Sequence, residues 1–262
     1  MSGADAFFTV FAPHLAGVTL CALRLLPVTL MCPLLGGVAL TTTVRLTLTL
    51  ALAGAVHIHG ADAPLAAAHD LAAFTTACAS EVLLGTVIGF LSSLPFDAAR
   101  MTGRFIDTFR GASAEVVLPL AGSREAASGE LLHQLLIVGA IVSGAMSDFI
   151  RALWLSFRTL PIGTWSVSSF DPTPALSALS TAFAVSFIIG APVACIALLV
   201  DAGLAAAARL APKMSLHDMA ASGRLMAGAV VLLLGVNALN TQLLNHLHTL
   251  PGHLAALVGA GP

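Results

Sequence analysis

Six long apolar stretches follow one another along this chain, at roughly 14–38, 42–58, 71–95, 131–157, 175–200 and 225–245 of its 262 residues. Most approach the ~20 apolar residues that a helix needs to cross a bilayer. Charged residues make up 9% and apolar residues 58%, where a soluble domain carries roughly a quarter charged. Polar groups therefore cannot cover a water-facing surface, and the mean hydropathy of +0.96 agrees. The pattern specifies an all-α, polytopic membrane protein of about six long, partly broken hydrophobic helices.

Other classes drop out quickly. A net charge of −2 gives no electrostatic reason to bind nucleic acid. Cys21, Cys32, Cys78 and Cys195 are scattered with no CxxC pair, which leaves neither a disulfide framework nor a zinc knuckle. The sole lysine, Lys213, follows Ala211-Pro212 and not a glycine-rich turn, so no nucleotide loop is present. No cofactor is expected. The start, Met1-Ser2-Gly3-Ala4-Asp5, has no basic residue before Arg24, so no cleaved leader is expected.

Polar breaks fall at 61–70, Asp97–Glu130, Arg158–Pro174 and Asp201–Arg224. The second holds four arginines and the last holds Arg209, Lys213 and Arg224, whereas 61–70 has no Lys or Arg. The positive-inside bias then puts the two basic breaks in the cytoplasm and 61–70 and the N-terminus outside. Arg24, Arg45 and Glu81 lie within apolar segments. A charge at bilayer depth costs ~2.5–3.5 kcal/mol on insertion scales, so such residues face protein or water. The chain has no Tyr and only Trp154 and Trp165, too few for two aromatic belts, and Pro27, Pro33 and Pro192 interrupt two of the segments. Much of this surface should be covered by other protein, as in a subunit of an assembly.

Glu81, Gly85, Gly89 and Ser93 recur every four residues, along one side of a helix. An ordinary close helix contact explains them. The sharper reading pairs Glu81 with Arg24, Arg45 or a partner's arginine to fix the assembly. A proton relay needs a second carboxylate at membrane depth, and none stands out. Asp97, Arg100, Arg104 and Asp107 form a charged stripe with i,i+3 compensation, opposite Met101, Phe105 and Thr108 or Phe109, with Gly111 as C-cap. That is either an amphipathic helix at the membrane interface or the wall of a water-filled path. His57 and His59 diverge, and His246, His248 and His253 lie in an uncharged tail, so no metal site is expected. Gly111-Ala112-Ser113-Ala114 lacks a nucleophile elbow's closing glycine, Ser128 and His133 stand in no supporting pattern, and no enzyme is expected.

Ser80-Glu81-Val82-Leu83-Leu84-Gly85-Thr86-Val87-Ile88-Gly89, then Leu94-Pro95-Phe96, Gly103, Asp107 and Arg110-Gly111-Ala112-Ser113 resemble the middle of the FliR/SctT family, more closely its injectisome branch. These are inner-membrane export-apparatus proteins of flagella and type III secretion systems. Ala208-Arg209-Leu210-Ala211-Pro212-Lys213-Met214 resembles the family's Arg-x-x-Pro-Gln motif, and Pro119 and Ser156-Phe157…Pro161 also fit. Lys213, Ser215 and Arg224 replace the family's usual Gln, Asn and Lys.

The resemblance implies helical hairpins within a cone-shaped export gate. One membrane-embedded domain would comprise an N-terminal part (about 1–170) like SctR/FliP and a C-terminal hairpin (about 171–262) like SctS/FliQ. Expected partners are subunits of those two kinds, an SctU/FlhB-like protein, and unfolded substrates passing through the pore. The expected place is the bacterial inner membrane, multi-pass, with part of the assembly above the bilayer on the periplasmic side. Phe105–Pro119, with Phe105, Phe109, Arg110, Gly111 and Ser113, is the expected pore-closing element, because it joins bulky rings to a Gly-Ala-Ser turn. Glu81, Gly85 and Gly89 with Arg24 and Arg45 are assigned to packing and ion pairing, and Arg209, Pro212 and Lys213 to a cytoplasmic-side loop. The competing reading is a secondary transporter or small-solute channel, its charges forming a site between broken helices.

Overall fold

Pro33 decides where the first helix stops. The computed structural model describes residues 3–37, 40–59, 71–111, 115–117, 124–165 and 170–210, and scattered positions between 223 and 252. Helix α1 (Gly3–Met31) runs straight through Pro13 and Pro27. It ends because the residue before a proline is driven out of the helical region, and Cys32 is extended at φ −81°, ψ 116°. A 3-10 turn, Pro33–Leu35, and left-handed Gly36 (φ 96°) and Gly37 (φ 47°) reverse the chain into α2 (Thr42–Ile58). Thr29 and Thr49 share a hydroxyl hydrogen bond of 3.0 Å across the hairpin, and His14 Nδ1 meets His57 Nε2 at 3.1 Å near its open end.

Helix α3 (Leu71–Arg110) is 40 residues long and carries through Pro95. The charged stripe Asp97–Asp107 thus lies on a helix that ends at Gly111, as its spacing indicates, and this helix is continuous with the apolar segment before it. Strands β1 (Glu115–Val117) and β2 (Arg124–Ala126) then pair antiparallel, Glu115 opposite Ala126 and Val117 opposite Arg124, a small addition to an otherwise helical chain. Helices α4 (Ala127–Val142) and α5 (Ala145–Thr159) follow. The apolar stretch 131–157 is thus two helices, broken at Gly144 with φ 82°. Helix α6 (Thr173–Leu210) passes through Pro192 without ending. Pro27 and Pro192 thus stand inside continuous helices, whereas Pro33 marks a helix end.

Among the described residues, three helical stretches are long and apolar enough to cross a membrane: Pro13–Met31, Ala72–Arg110 and Thr173–Ala207. Helices α4 and α5 taken together make a broken fourth. Helix α2, at 17 residues, spans about 25 Å and falls short of the ~30 Å hydrocarbon core. The chain is a multi-pass helical membrane protein.

The chain gathers into two compact units, 1–93 with 144–178 and 249–262, and 94–143 with 179–248. The first buries Leu20, Leu25, Leu84 and Ile88 around Arg24 and Glu81. The second buries Phe96, Ile106, Leu132 and Leu136. The apolar stretch 225–245 lies mostly outside the described residues.

Candidate functional site

Arg24 is completely buried, and so is Glu81. A lone charge there costs several kcal/mol unless it is paired and hydrogen-bonded. Arg24 Nε donates to Glu81 Oε2 at 2.5 Å and Nη2 to Oε1 at 3.0 Å, a forked pair. Its Nη1 donates to the carbonyls of Ser156 (3.2 Å) and Leu160 (3.0 Å), the exposed end of α5's hydrogen-bond ladder. The guanidinium carbon lies 4.5 Å from the centre of the Phe157 ring. Glu81 Oε1 also accepts the Gly163 amide at 2.8 Å, where left-handed Gly163 (φ 73°) turns the chain after α5. One ion pair thus holds α1, α3 and the end of α5 together. Arg45 is placed elsewhere, donating to the Gly37 and Leu40 carbonyls at 2.8 and 3.1 Å on the turn before α2.

The glycines of the same α3 face explain how the pair closes. A Cβ on Gly85 would collide with the Arg24 carbonyl oxygen, and one on Gly89 would come within 2.9 Å of the Pro27 carbonyl oxygen. Only hydrogen fits between these backbones. Of the counterparts that the sequence allowed for this face, Arg24 and α1 of the same chain occupy it.

In the second unit α3 crosses α4 where a Cβ on Gly103 would overlap the Gly129 backbone. On one side of the crossing Arg100 Nη2 lies 3.8 Å from Glu130 Oε2. On the other, Asp107 accepts the Ser128 amide (2.9 Å) and hydroxyl (2.6 Å), and Arg110 Nη1 at 3.4 Å. Ser128 stands in the first turn of α4, whose amides have no intrahelical partner, so Asp107 acts as an N-terminal cap from another helix. The charged stripe therefore reaches α4, and Asp97 and Arg104 are also engaged. Burial varies along the stripe, with Asp107 buried, Asp97 and Arg100 half-buried and Arg104 exposed.

Phe105 stacks edge-on with Phe109 at 4.8 Å and with Phe187 of α6 at 5.3 Å. Its ring fills a notch at Gly190, where any Cβ would strike it. Ser186 Oγ donates to the Ala98 carbonyl at 3.1 Å alongside. Arg110 is partly buried, its stem against Gly228. Gly111 ends α3 in the left-handed region (φ 68°) with open space around its Cα. Ser113, Pro212 and Lys213 lie outside the described residues, and Arg209 is exposed near the end of α6.

Sequence reasoning missed Glu130, Ser128 as a capped residue, and the Phe187–Gly190 notch. Ala182, Ser186 and Gly190 repeat every four residues, the signal that marked α3, and all three are buried. It also considered His57 only with His59, while the structure brings His57 to His14.

Charges spent on tying helices of one chain together, and glycines spent on close crossings, define a helical membrane scaffold. The chain belongs to the family described as bacterial export proteins, family 1, whose model matches residues 15–250. It is 30% identical over 148 residues to Yop proteins translocation protein T of Yersinia pestis, covering 53% of this chain and 55% of that protein. It is 36% identical over 84 residues to secretion system apparatus protein SsaT of Salmonella typhimurium, 32% of each chain. The flagellar biosynthetic protein FliR of Aquifex aeolicus is 26% identical over 216 residues, 82% of this chain and 83% of that protein. The higher identities fall on the injectisome side of the FliR/SctT family. The chain spans about half the length or less of the first two relatives.

Proposed function

We propose that this protein is a structural and gating subunit of a type III protein-export channel in the bacterial inner membrane, with no catalytic role. SctR/FliP-like, SctS/FliQ-like and SctU/FlhB-like proteins are its partners, and unfolded proteins its cargo. The part from about residue 171 would form the hairpin that resembles SctS/FliQ. The segment that starts at Phe105 and runs through Arg110, Gly111 and Ser113 towards Pro119 closes the pore. One observation supports this most. Asp107 on the last turn of α3 binds Ser128 on the first turn of α4, which ties together the two helix ends that flank this segment. Arg209, Pro212 and Lys213 are assigned to the cytoplasmic-side loop.

The test is Gly111→Leu in the full-length protein in its own membrane. A bulky residue at a left-handed position strains the stem. Ion leak or secretion should change severalfold while the amount of protein in the membrane stays the same. Unaltered leak and unaltered secretion overturn the gate assignment.

A further inference from the structure

His14 of α1 and His57 of α2 bring two imidazole rings together at the open end of the first hairpin. Neither belongs to the segment assigned to the gate. His14 Nδ1 and His57 Nε2 face one another at 3.1 Å, with the ring centres 5.4 Å apart. His14 is exposed and His57 half-buried, so water and small ions can reach the pair. His59 stands apart from it, with its Nδ1 2.8 Å from the Ala55 carbonyl and its ring edge-on to Trp154.

Two facing ring nitrogens can share either a hydrogen or a metal ion. A hydrogen bond needs N–H on one nitrogen and a lone pair on the other. A metal needs a lone pair on both, which neutral rings supply when their hydrogens sit on His14 Nε2 and His57 Nδ1. Imidazole suits zinc, copper and nickel. A tetrahedral ion ~2.0–2.1 Å from each nitrogen would space the two by ~3.3 Å, close to the spacing already present. Small side-chain rotations would seat it, with no movement of either helix. The hairpin turn and the Thr29–Thr49 hydrogen bond already join α1 to α2, so little order is lost on binding. Arg24 and Arg45, the basic residues of these two helices, lie about 15 and 18 Å along them, beyond the ~10 Å reach of an exposed charge in salt. Among the described residues no third histidine, cysteine or carboxylate completes a cluster with the pair, so water would fill the remaining positions.

We propose that His14 and His57 form a two-histidine site for a divalent transition-metal ion, which clamps the open end of the α1–α2 hairpin. His14 Nδ1 and His57 Nε2 each donate a lone pair to the ion, and two waters leave its shell. The hydrogen between the rings passes through solvent to an outer ring nitrogen, so no net proton is released.

The full-length protein in lipid nanodiscs, free of any histidine tag, is titrated with zinc chloride at neutral pH. The wild type should bind one ion through this pair, and its thermal unfolding midpoint should rise by several degrees. His14→Gln and His57→Gln should each weaken that binding at least tenfold and abolish the rise. His59→Gln should change neither. Zinc held elsewhere among the nine histidines would survive both substitutions, which separates it from this site. His14 is exposed, so its variant keeps the test available where His57→Gln does not fold. A zinc response that is the same in His14→Gln as in the wild type, or no response in the wild type, overturns the site and leaves the pair a hydrogen bond. Neither outcome bears on whether Phe105–Pro119 closes the pore.

Discussion

The Asp107 carboxylate, on the last turn of α3, binds the first turn of α4 through the Ser128 amide at 2.9 Å and the Ser128 hydroxyl at 2.6 Å. Asp107 is 4% exposed, so these bonds are made away from water. Removing the carboxylate leaves a buried amide without an acceptor and takes a negative charge from a helix N-terminus. The loss of a cap of this kind costs ~1–2 kcal/mol. Asp107→Ala should therefore speed amide exchange at Ser128 roughly 5- to 30-fold. Asp107→Asn, which keeps an acceptor, should have a smaller effect. An unchanged exchange rate in Asp107→Ala would mean that the stems of the 111–126 segment are not held by this contact.

Strong acid should loosen the start of α6. Asp171 accepts the Thr173 amide at 2.9 Å in a turn just ahead of the helix. Hydrogen bonds from the Thr173 side chain and then its backbone hold the Asp171 carboxyl below its ordinary value of 3.8. A group whose folded value is depressed contributes stability that is present above the unfolded value and lost as pH falls through the folded one. Protection of the first-turn amides of α6 should thus fall as pH drops below 3.8. In Asp171→Asn that step should vanish. A step of the same size in the asparagine variant assigns the acid sensitivity to another group.

What could be read from the amino acids was what depends on spacing along one helix. Glu81, Gly85 and Gly89 announced a close-packed face because a helix repeats nearly every four residues. That Arg24 would supply the counter-charge, and that Arg45 would turn back to its own loop, depends on how α1 and α2 fold against their neighbours. Such contacts leave no periodic trace. Helix ends were the harder part. Charge at Asp97–Asp107 looked like the edge of the apolar region, yet partners for Arg100 and Asp107 come from α4, and the helix runs on. Gly144 looked like one more small residue inside an apolar run, but its left-handed backbone splits the run. The contact between Asp107 and Ser128 was not legible, since Ser128 is ordinary until it meets Asp107.

Glycines in this chain are not equivalent, and substitution separates them. Gly103→Val places two methyl groups and a Cβ where the Gly129 backbone already sits, so α3 and α4 must part. Overpacking of this sort costs at least ~1–3 kcal/mol, and backbone atoms cannot move aside as a side chain can. Gly54→Ala in α2 meets nothing within 4 Å. There alanine should be neutral or stabilising by ~0.5–1 kcal/mol, because glycine is a poor helix former. Thermal unfolding of the two purified full-length variants decides the matter. Equal stability of Gly103→Val and wild type would show that the crossing is looser than its backbones indicate.

The Arg24–Glu81 pair makes the most demanding prediction, because removing half of it is worse than removing all of it. Glu81→Leu leaves the Arg24 guanidinium buried without its anion, and the Gly163 amide without an acceptor. Arg24→Leu leaves the Glu81 carboxylate uncompensated and frees the Ser156 and Leu160 carbonyls. Breaking a buried pair from one side costs ~3–5 kcal/mol, whereas replacing both charges with apolar groups is often close to neutral. Each single variant should therefore lose most of its folded protein in the membrane, and the double Arg24→Leu, Glu81→Leu variant should recover a substantial part. Recovery should stay incomplete, since Gly163 and the end of α5 still lose their partners. Additive losses in the double variant would mean that the two residues act independently, and that the chain reversal after α5 is secured by something else.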